Sequence, residues 1–195
     1  MDYAVFAKLN ELVGRWPALD SWMAATARFG PLVYVALLVA AWFAGPREVR
    51  RRNRPAVARS LTAAALALAA NQLTGLVYFR PRPFAAHKVA LLLPASSDPS
   101  FPSDHAAAAV AITRSAWGTS RLAGWTLAVL TPLLMVARVY VGLHYPLDVL
   151  GGAAVGLLAS CAVDRLWAHS LGGIWQRVTD ILQERSAGRP EGRPR

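Results

Sequence analysis

Five apolar runs alternate with short polar clusters along this chain, and few folds accommodate that alternation. The runs are Gly30–Gly45, Val57–Phe79, Asp104–Trp117, Leu122–Val141 and Pro146–Ser170. A helix needs about 20 apolar residues to cross the roughly 30 Å hydrocarbon core of a bilayer. In lipid, each backbone polar group has to be satisfied inside the helix. Hydrophobic residues make up 55% of the chain and charged residues only 16%, below the roughly 25% usual in soluble domains. The expected fold is all-α: a polytopic membrane helix bundle with five to six spans.

The ends read differently. Residues 2–14 carry apolar positions at helical spacing, Pro17 interrupts, and Ala18–Phe29 resumes the pattern. Neither piece is long enough to span. Residues 1–29 are therefore expected as interfacial helices, with Trp16 and Trp22 at headgroup depth, a single kinked span being the alternative, and show no cleavable signal pattern. Residues 30–182 form the bundle, closing on an amphipathic interfacial stretch, Leu171–Leu182. Residues 183–195, rich in Gly, Pro and Arg, read as a disordered basic tail. Gly151, Gly152 and Gly156 in the last run permit close helix approach. The single cysteine, Cys161, can form no disulfide within the chain and no thiol metal site.

The formal net charge is +10, and of 21 basic residues only Lys8 and Lys88 are lysine. Because the arginines cluster between apolar runs, topology explains them better than nucleic acid does. Arg47, Arg50, Arg51, Arg52, Arg54 and Arg59 mark the connection after the first run as cytoplasmic. Following the chain, residues 80–104 and 138–148 then lie outside the cytoplasm, and the Arg121 turn and the tail inside. Arg15 and Arg28 run against this assignment.

The polar residues at the outer borders are costly near lipid unless they have a task. Pro102-Ser103-Asp104-His105 opens a helix. Ser103 or Asp104 suits an N-cap, the first amides make an anion site, and His105 can exchange a proton near neutral pH. Arg80 and Arg82, each followed by proline, present guanidinium forks that fit phosphate oxygens. Arg138, His144 and Asp148 follow at a spacing that lets a carboxylate orient an imidazole, the logic of an activated nucleophile. Each piece alone also admits a plainer reading: a helix cap, interfacial arginine anchors, a His–Asp cap pair. Together they favour phosphoryl transfer over a non-catalytic anion or lipid-headgroup binder or transporter. A metal fits less well, since there is no dense carboxylate cluster; arginines can neutralise phosphate instead.

These motifs resemble the type 2 phosphatidic acid phosphatase superfamily, whose pattern is Lys-x6-Arg-Pro, Pro-Ser-Gly-His and Ser-Arg-x5-His-x3-Asp. Arg82-Pro83, Pro102-Ser103-Asp104-His105 and Arg138-x5-His144-x3-Asp148 match, over roughly residues 57–170. Phe79-Arg80-Pro81-Arg82-Pro83-Phe84 and the Ser-Asp-His variant look most like the bacterial undecaprenyl-diphosphatases of that superfamily. The resemblance implies that His144 attacks phosphorus and forms a phosphohistidine, that Asp148 orients it, and that His105 protonates the leaving group. Arg82, Arg138, Ser103 and the helix start at Asp104, with Arg80 beside them, would hold phosphate oxygens. No cofactor or metal is implied. The implied substrate is a lipid phosphate: undecaprenyl diphosphate, or alternatively phosphatidylglycerol phosphate, phosphatidic acid or a prenyl-sugar phosphate. The implied location is the bacterial plasma membrane, with the site facing away from the cytoplasm. Nothing in the sequence addresses the oligomeric state. Three departures stand out: Gly75 where the family has lysine, with Arg80 or Lys88 as substitutes; Asp104 for glycine; and Ala137 for serine.

Overall fold

The computed structural model describes residues 1–117 and 121–187. Among them there is no strand. Eight α-helices follow in order: α1 Asp2–Asn10, α2 Pro17–Phe43, α3 Arg47–Val77, α4 Pro83–Ala86, α5 Asp104–Ala116, α6 Arg121–Tyr140, α7 Pro146–Leu166 and α8 Gly172–Ala187. A π-helical turn, Trp167–Leu171, joins the last two. The expected return at residues 118–120 and the end of the basic tail at 188–195 lie outside the described residues. Residues 183–187, read as the start of that tail, continue α8.

Four helical segments among the described residues are long and apolar enough to cross a membrane: Pro17–Phe43, Arg47–Val77, Leu122–Tyr140 and Pro146–Ser170. The expected third span falls short. At 13 residues, α5 is about 20 Å long at 1.5 Å per residue, so four helices meet the length criterion rather than five to six. Outward-facing Leu32, Val35, Leu61, Leu73, Leu76, Val129 and Leu158 are exposed, as lipid-facing side chains are.

Two boundaries differ from expectation. The stretch 18–29 is not a separate interfacial helix: α2 runs unbroken through Pro31. A helix-interior proline removes one backbone hydrogen bond, and packing against neighbouring helices allows membrane helices to tolerate it. Here α2 packs on α6 and α3, and Tyr34 Oη lies 2.8 Å from Thr131 Oγ1. The arginine-rich stretch 47–54 is not a loop either, but the first turns of α3. At 31 residues, α3 is about 46 Å long, which leaves those turns beyond a ~30 Å core.

The short α5 is the centre of the bundle, packed most extensively against α7 and α3. Ala106, Ala107, Ala109 and Ala111 are buried there. A Cβ added at Gly152 or Gly156 would run into the carbonyls of Ser103 or Ala107, so these glycines let α7 lie directly on α5. That contact sets the start of α5 beside the start of α7, and Ser103 N donates to the Asp148 carbonyl at 3.0 Å. The first helix, α1, is docked rather than free. Phe6 is fully buried, and the Asn10 side chain bonds both ways with the Ala90 backbone, at 2.8 and 2.9 Å.

Candidate active site

The helix ends converge on a cavity of about 380 Å³ lined by Arg28, Arg82, Asp98, Asp104, His105, Arg138 and His144, with prolines and leucines between them. The turn after α6 delivers the two key groups. Gly142 has φ +88°, and a Cβ there would lie 2.5 Å from the Ala90 carbonyl, so the reversal needs glycine. It folds His144 back beneath Arg138, from the last turn of α6.

His144 is 2% exposed. Its Nδ1 lies 2.9 Å from the Ser100 carbonyl oxygen. A carbonyl only accepts, so Nδ1 carries the proton of the neutral ring and Nε2 keeps its lone pair. Nε2 faces two guanidiniums, Arg82 Nη1 at 3.3 Å and Arg138 Nη2 at 3.5 Å. Burial first, then the charges of Arg138 and Arg82, push the His144 pKa well below its ordinary value, against the opposing pull of the Ser100 carbonyl. The ring is therefore held neutral, with its bare nitrogen in the region of positive charge.

The spacing of His144 and Asp148 predicts a direct bond from the imidazole to the carboxylate. That bond is not made: Asp148 Oδ2 is 3.9 Å from Nδ1. Asp148, fully buried, instead accepts from Ser100 Oγ at 2.5 Å, Tyr145 N at 2.8 Å and Arg80 Nη1 at 2.6 Å. Its link to the histidine passes through Ser100, whose Oγ meets Asp148 and whose carbonyl meets His144. Arg80 is likewise placed away from the cavity. Its guanidinium bridges Asp148 and Asp2, and these two carboxylates raise its pKa against the effect of desolvation.

Arg82 has its fork on Asp98, with Nη2 to Oδ2 at 2.7 Å and Nε to the Asp98 carbonyl at 3.1 Å. Asp98 is 54% exposed at its side chain. Arg138 is buried, and its Nε has no partner. Ser103 is the N-cap residue of α5 but makes no side-chain cap bond. Its buried Oγ is unpaired, and it does not line the cavity. His105 does, in the first turn of α5. Asp104 also faces the cavity, and its carboxylate is tethered by Asn71 Nδ2 at 2.8 Å and Gln72 Nε2 at 3.3 Å.

The position of the missing family lysine, Gly75, looks onto Pro99. Lys88 lines a separate cavity with Tyr3, Asn10 and Glu11. Neither Lys88 nor Arg80 stands in for the lysine at the cavity. Arg28, which in the sequence runs against the topology assignment, does line it. Ala137 is fully buried among Tyr140 and Leu143. Among the described residues, no three His, Cys, Asp or Glu side chains converge to hold a metal ion.

The sequence pattern of the PAP2 superfamily matches residues 56–170. The chain is 37% identical over 183 residues to undecaprenyl-diphosphatase BcrC of Bacillus subtilis (strain 168), an alignment that takes in 94% of this chain and 86% of that protein. The crystal structure of Aquifex aeolicus LpxE superposes with a TM-score of 0.70 at 26% identity, covering 84% of this chain and 94% of that one. The PAP2-type phosphatidylglycerolphosphate phosphatase of Bacillus subtilis shares the fold, with a TM-score of 0.63 at 23% identity over 85% of this chain and 83% of that one.

Proposed function

Because the chain belongs to the PAP2 superfamily, we propose that it acts on a polyprenyl diphosphate, undecaprenyl diphosphate first, through a phosphohistidine at His144. The protein is a bacterial membrane phosphatase, which sets aside the non-catalytic binder. The observation that carries the finer reading is His144: a buried neutral imidazole, its lone pair on Nε2, set between two guanidiniums at the wall of a cavity that a second histidine shares.

In this mechanism Arg82 and Arg138 take the terminal phosphate oxygens, Arg82 exchanging Asp98 for them, and the free amides at the start of α5 add partial positive charge. His144 Nε2 attacks phosphorus, and the bond from phosphorus to the bridging oxygen breaks. His105 takes up a proton as the anionic diphosphate binds beside it, and gives that proton to the oxygen as the lipid monophosphate leaves. Water then attacks the phosphohistidine, giving its proton to His105 and releasing inorganic phosphate. The guanidiniums supply the charge neutralisation that a metal supplies elsewhere, so no metal is called for. Arg28, a third cation on the cavity wall, favours a substrate with a second phosphate over a monophosphate lipid.

Membrane orientation follows from the arginines. The cluster 47–54 opens α3, and the residues leading to Arg80 and Arg82 follow its other end. With the cluster cytoplasmic, the site opens on the outer face of the plasma membrane. The test is phosphate release by detergent-purified protein from undecaprenyl and farnesyl diphosphate in excess EDTA, inhibited by vanadate. His144→Ala should lose at least about 10⁴-fold in kcat, the scale for removing a nucleophile, and ³²P should be trapped on His144 during turnover. Near-wild-type activity in His144→Ala would exclude this mechanism, and activity abolished by EDTA would exclude its metal independence.

A further inference from the structure

A carboxylate from the first turn of the chain joins the network behind the nucleophile. Asp2 Oδ2 accepts from Arg80 Nη2 at 2.6 Å, and its Oδ1 accepts from Leu147 N at 3.0 Å. Leu147 lies in the first turn of α7, where amides have no partner within the helix. Asp2 thus caps, from outside, the helix that carries Asp148. The other arm of Arg80 reaches Asp148 Oδ1 at 2.6 Å, and the Arg80 carbonyl accepts from Ser100 N at 2.8 Å. With Ser100 Oγ on Asp148 Oδ2, both handles on Ser100 lead to Arg80. The Ser100 carbonyl is the group that fixes the tautomer of His144.

The geometry explains why a second carboxylate matters. A guanidinium prefers to grip both oxygens of a carboxylate through two parallel bonds. With Asp2 on its Nη2, Arg80 has one arm for Asp148, which leaves Oδ2 to Ser100 Oγ and the Tyr145 amide. Without Asp2, the free arm can close on Oδ2 and displace the Ser100 hydroxyl, turning the carbonyl that holds the imidazole. The Tyr145 ring, 4.2 Å from the guanidinium carbon, keeps Arg80 beside this carboxylate in either case. We propose that Asp2 is a positioning residue for the phosphatase reaction, acting through Arg80 and Ser100 on the imidazole of His144. The inference rests on the reading of His144 as the nucleophile.

The docking of α1 supplies the control, because Asn10 anchors the same helix to Ala90 and Tyr140 without touching Arg80. The experiment compares full-length Asp2→Ala, Asp2→Asn, Asp2→Glu and Asn10→Ala in detergent, by kcat and KM on farnesyl diphosphate and by thermal midpoint. Asp2→Ala should lower kcat about 10- to 100-fold, the scale for a misplaced reacting group, with KM changed less than twofold. Asp2→Asn, which keeps an acceptor for Leu147 N but loses the charge, should fall between it and wild type, and Asp2→Glu should recover part of the loss. Asn10→Ala should lower the midpoint at least as far and leave kcat within about twofold. Adding Ser100→Ala to Asp2→Ala should cost little more than the larger single change, since both act on one network. Should Asp2→Ala not purify folded, Asp2→Asn carries the same comparison. Wild-type kcat in the Asp2 variants, an equal loss in Asn10→Ala at equal midpoint, or full additivity with Ser100→Ala overturns the proposal. A fully active His144→Ala would instead overturn the nucleophile reading, whatever the Asp2 variants do.

Discussion

On one side of the His144 ring, Asp148 accepts three hydrogen bonds of 2.5 to 2.8 Å, and Arg80 is shared between two carboxylates. On the other side, Arg138 Nε has no partner, and the Arg82 fork rests on a carboxylate that is 54% exposed. An unpaired buried polar group costs free energy. In the proposed mechanism the back fixes the ring, and the front takes the anion. A site of this kind stabilises charge without reorganising at the moment of reaction.

Substitutions on the two sides should fail in different ways. Arg138→Ala removes a front donor, and kcat/KM should fall about 10²- to 10³-fold, the scale for losing a charge-stabilising group, with vanadate binding weakened alongside. Asp148→Asn removes the charge that holds Arg80 and Ser100. Here kcat should fall about 10²-fold, less than for a carboxylate bonded directly to its histidine, with KM and vanadate affinity little changed. Steady-state kinetics with vanadate inhibition separates the two patterns. If Asp148→Asn weakened vanadate as much as Arg138→Ala does, the division into front and back would be wrong.

How much of this was legible in the sequence follows the same division. The front was readable: Arg82, His105, Arg138 and His144 sit in short spaced motifs, and all four line one cavity. The back was not. Ser100 acts through a backbone carbonyl, whose direction no residue type announces, and Asp2 meets Arg80 across 78 positions. Arg80 and Arg82 look alike in sequence, yet one pairs behind the ring and the other in front of it. In the fold, helical runs are legible from hydropathy, but the division at residues 29–30 and the arginines at 47–54 put two boundaries inside what are continuous helices, α2 and α3. Arg28, which broke the charge rule for topology, is explained by its place on the cavity wall.

Asp98 offers a change of opposite sign. Replacing it by Asn removes the negative charge on the Nη2 arm of Arg82 and leaves the Nε bond to the backbone carbonyl, so vanadate and substrate should bind more tightly. Arg82 is buried but Asp98 is half exposed, so solvent screens the pair to about 1 kcal/mol, and the gain should be about fivefold. Unchanged vanadate inhibition in Asp98→Asn would show that Asp98 does not compete with the anion, and the front would then be less open than described.

The smallest effect lies in the titration of His144. Its pKa is depressed in the folded protein, so as pH falls below about 6.5, the ordinary value, the unfolded chain takes up a proton that the folded chain refuses. Folding stability is therefore lost on the acid side, by at most about 1.4 kcal/mol per pH unit, and nothing changes above the ordinary value. In the ligand-free protein, NMR of ¹⁵N-labelled histidine should find His144 neutral at pH 6, with the proton on Nδ1. Arg138→Ala should raise its pKa only in part, because burial is the larger cause and Arg82 remains. A cationic His144 at pH 6, or a proton on Nε2, would mean that the Ser100 carbonyl does not set the tautomer, and the network behind the ring would lose its purpose.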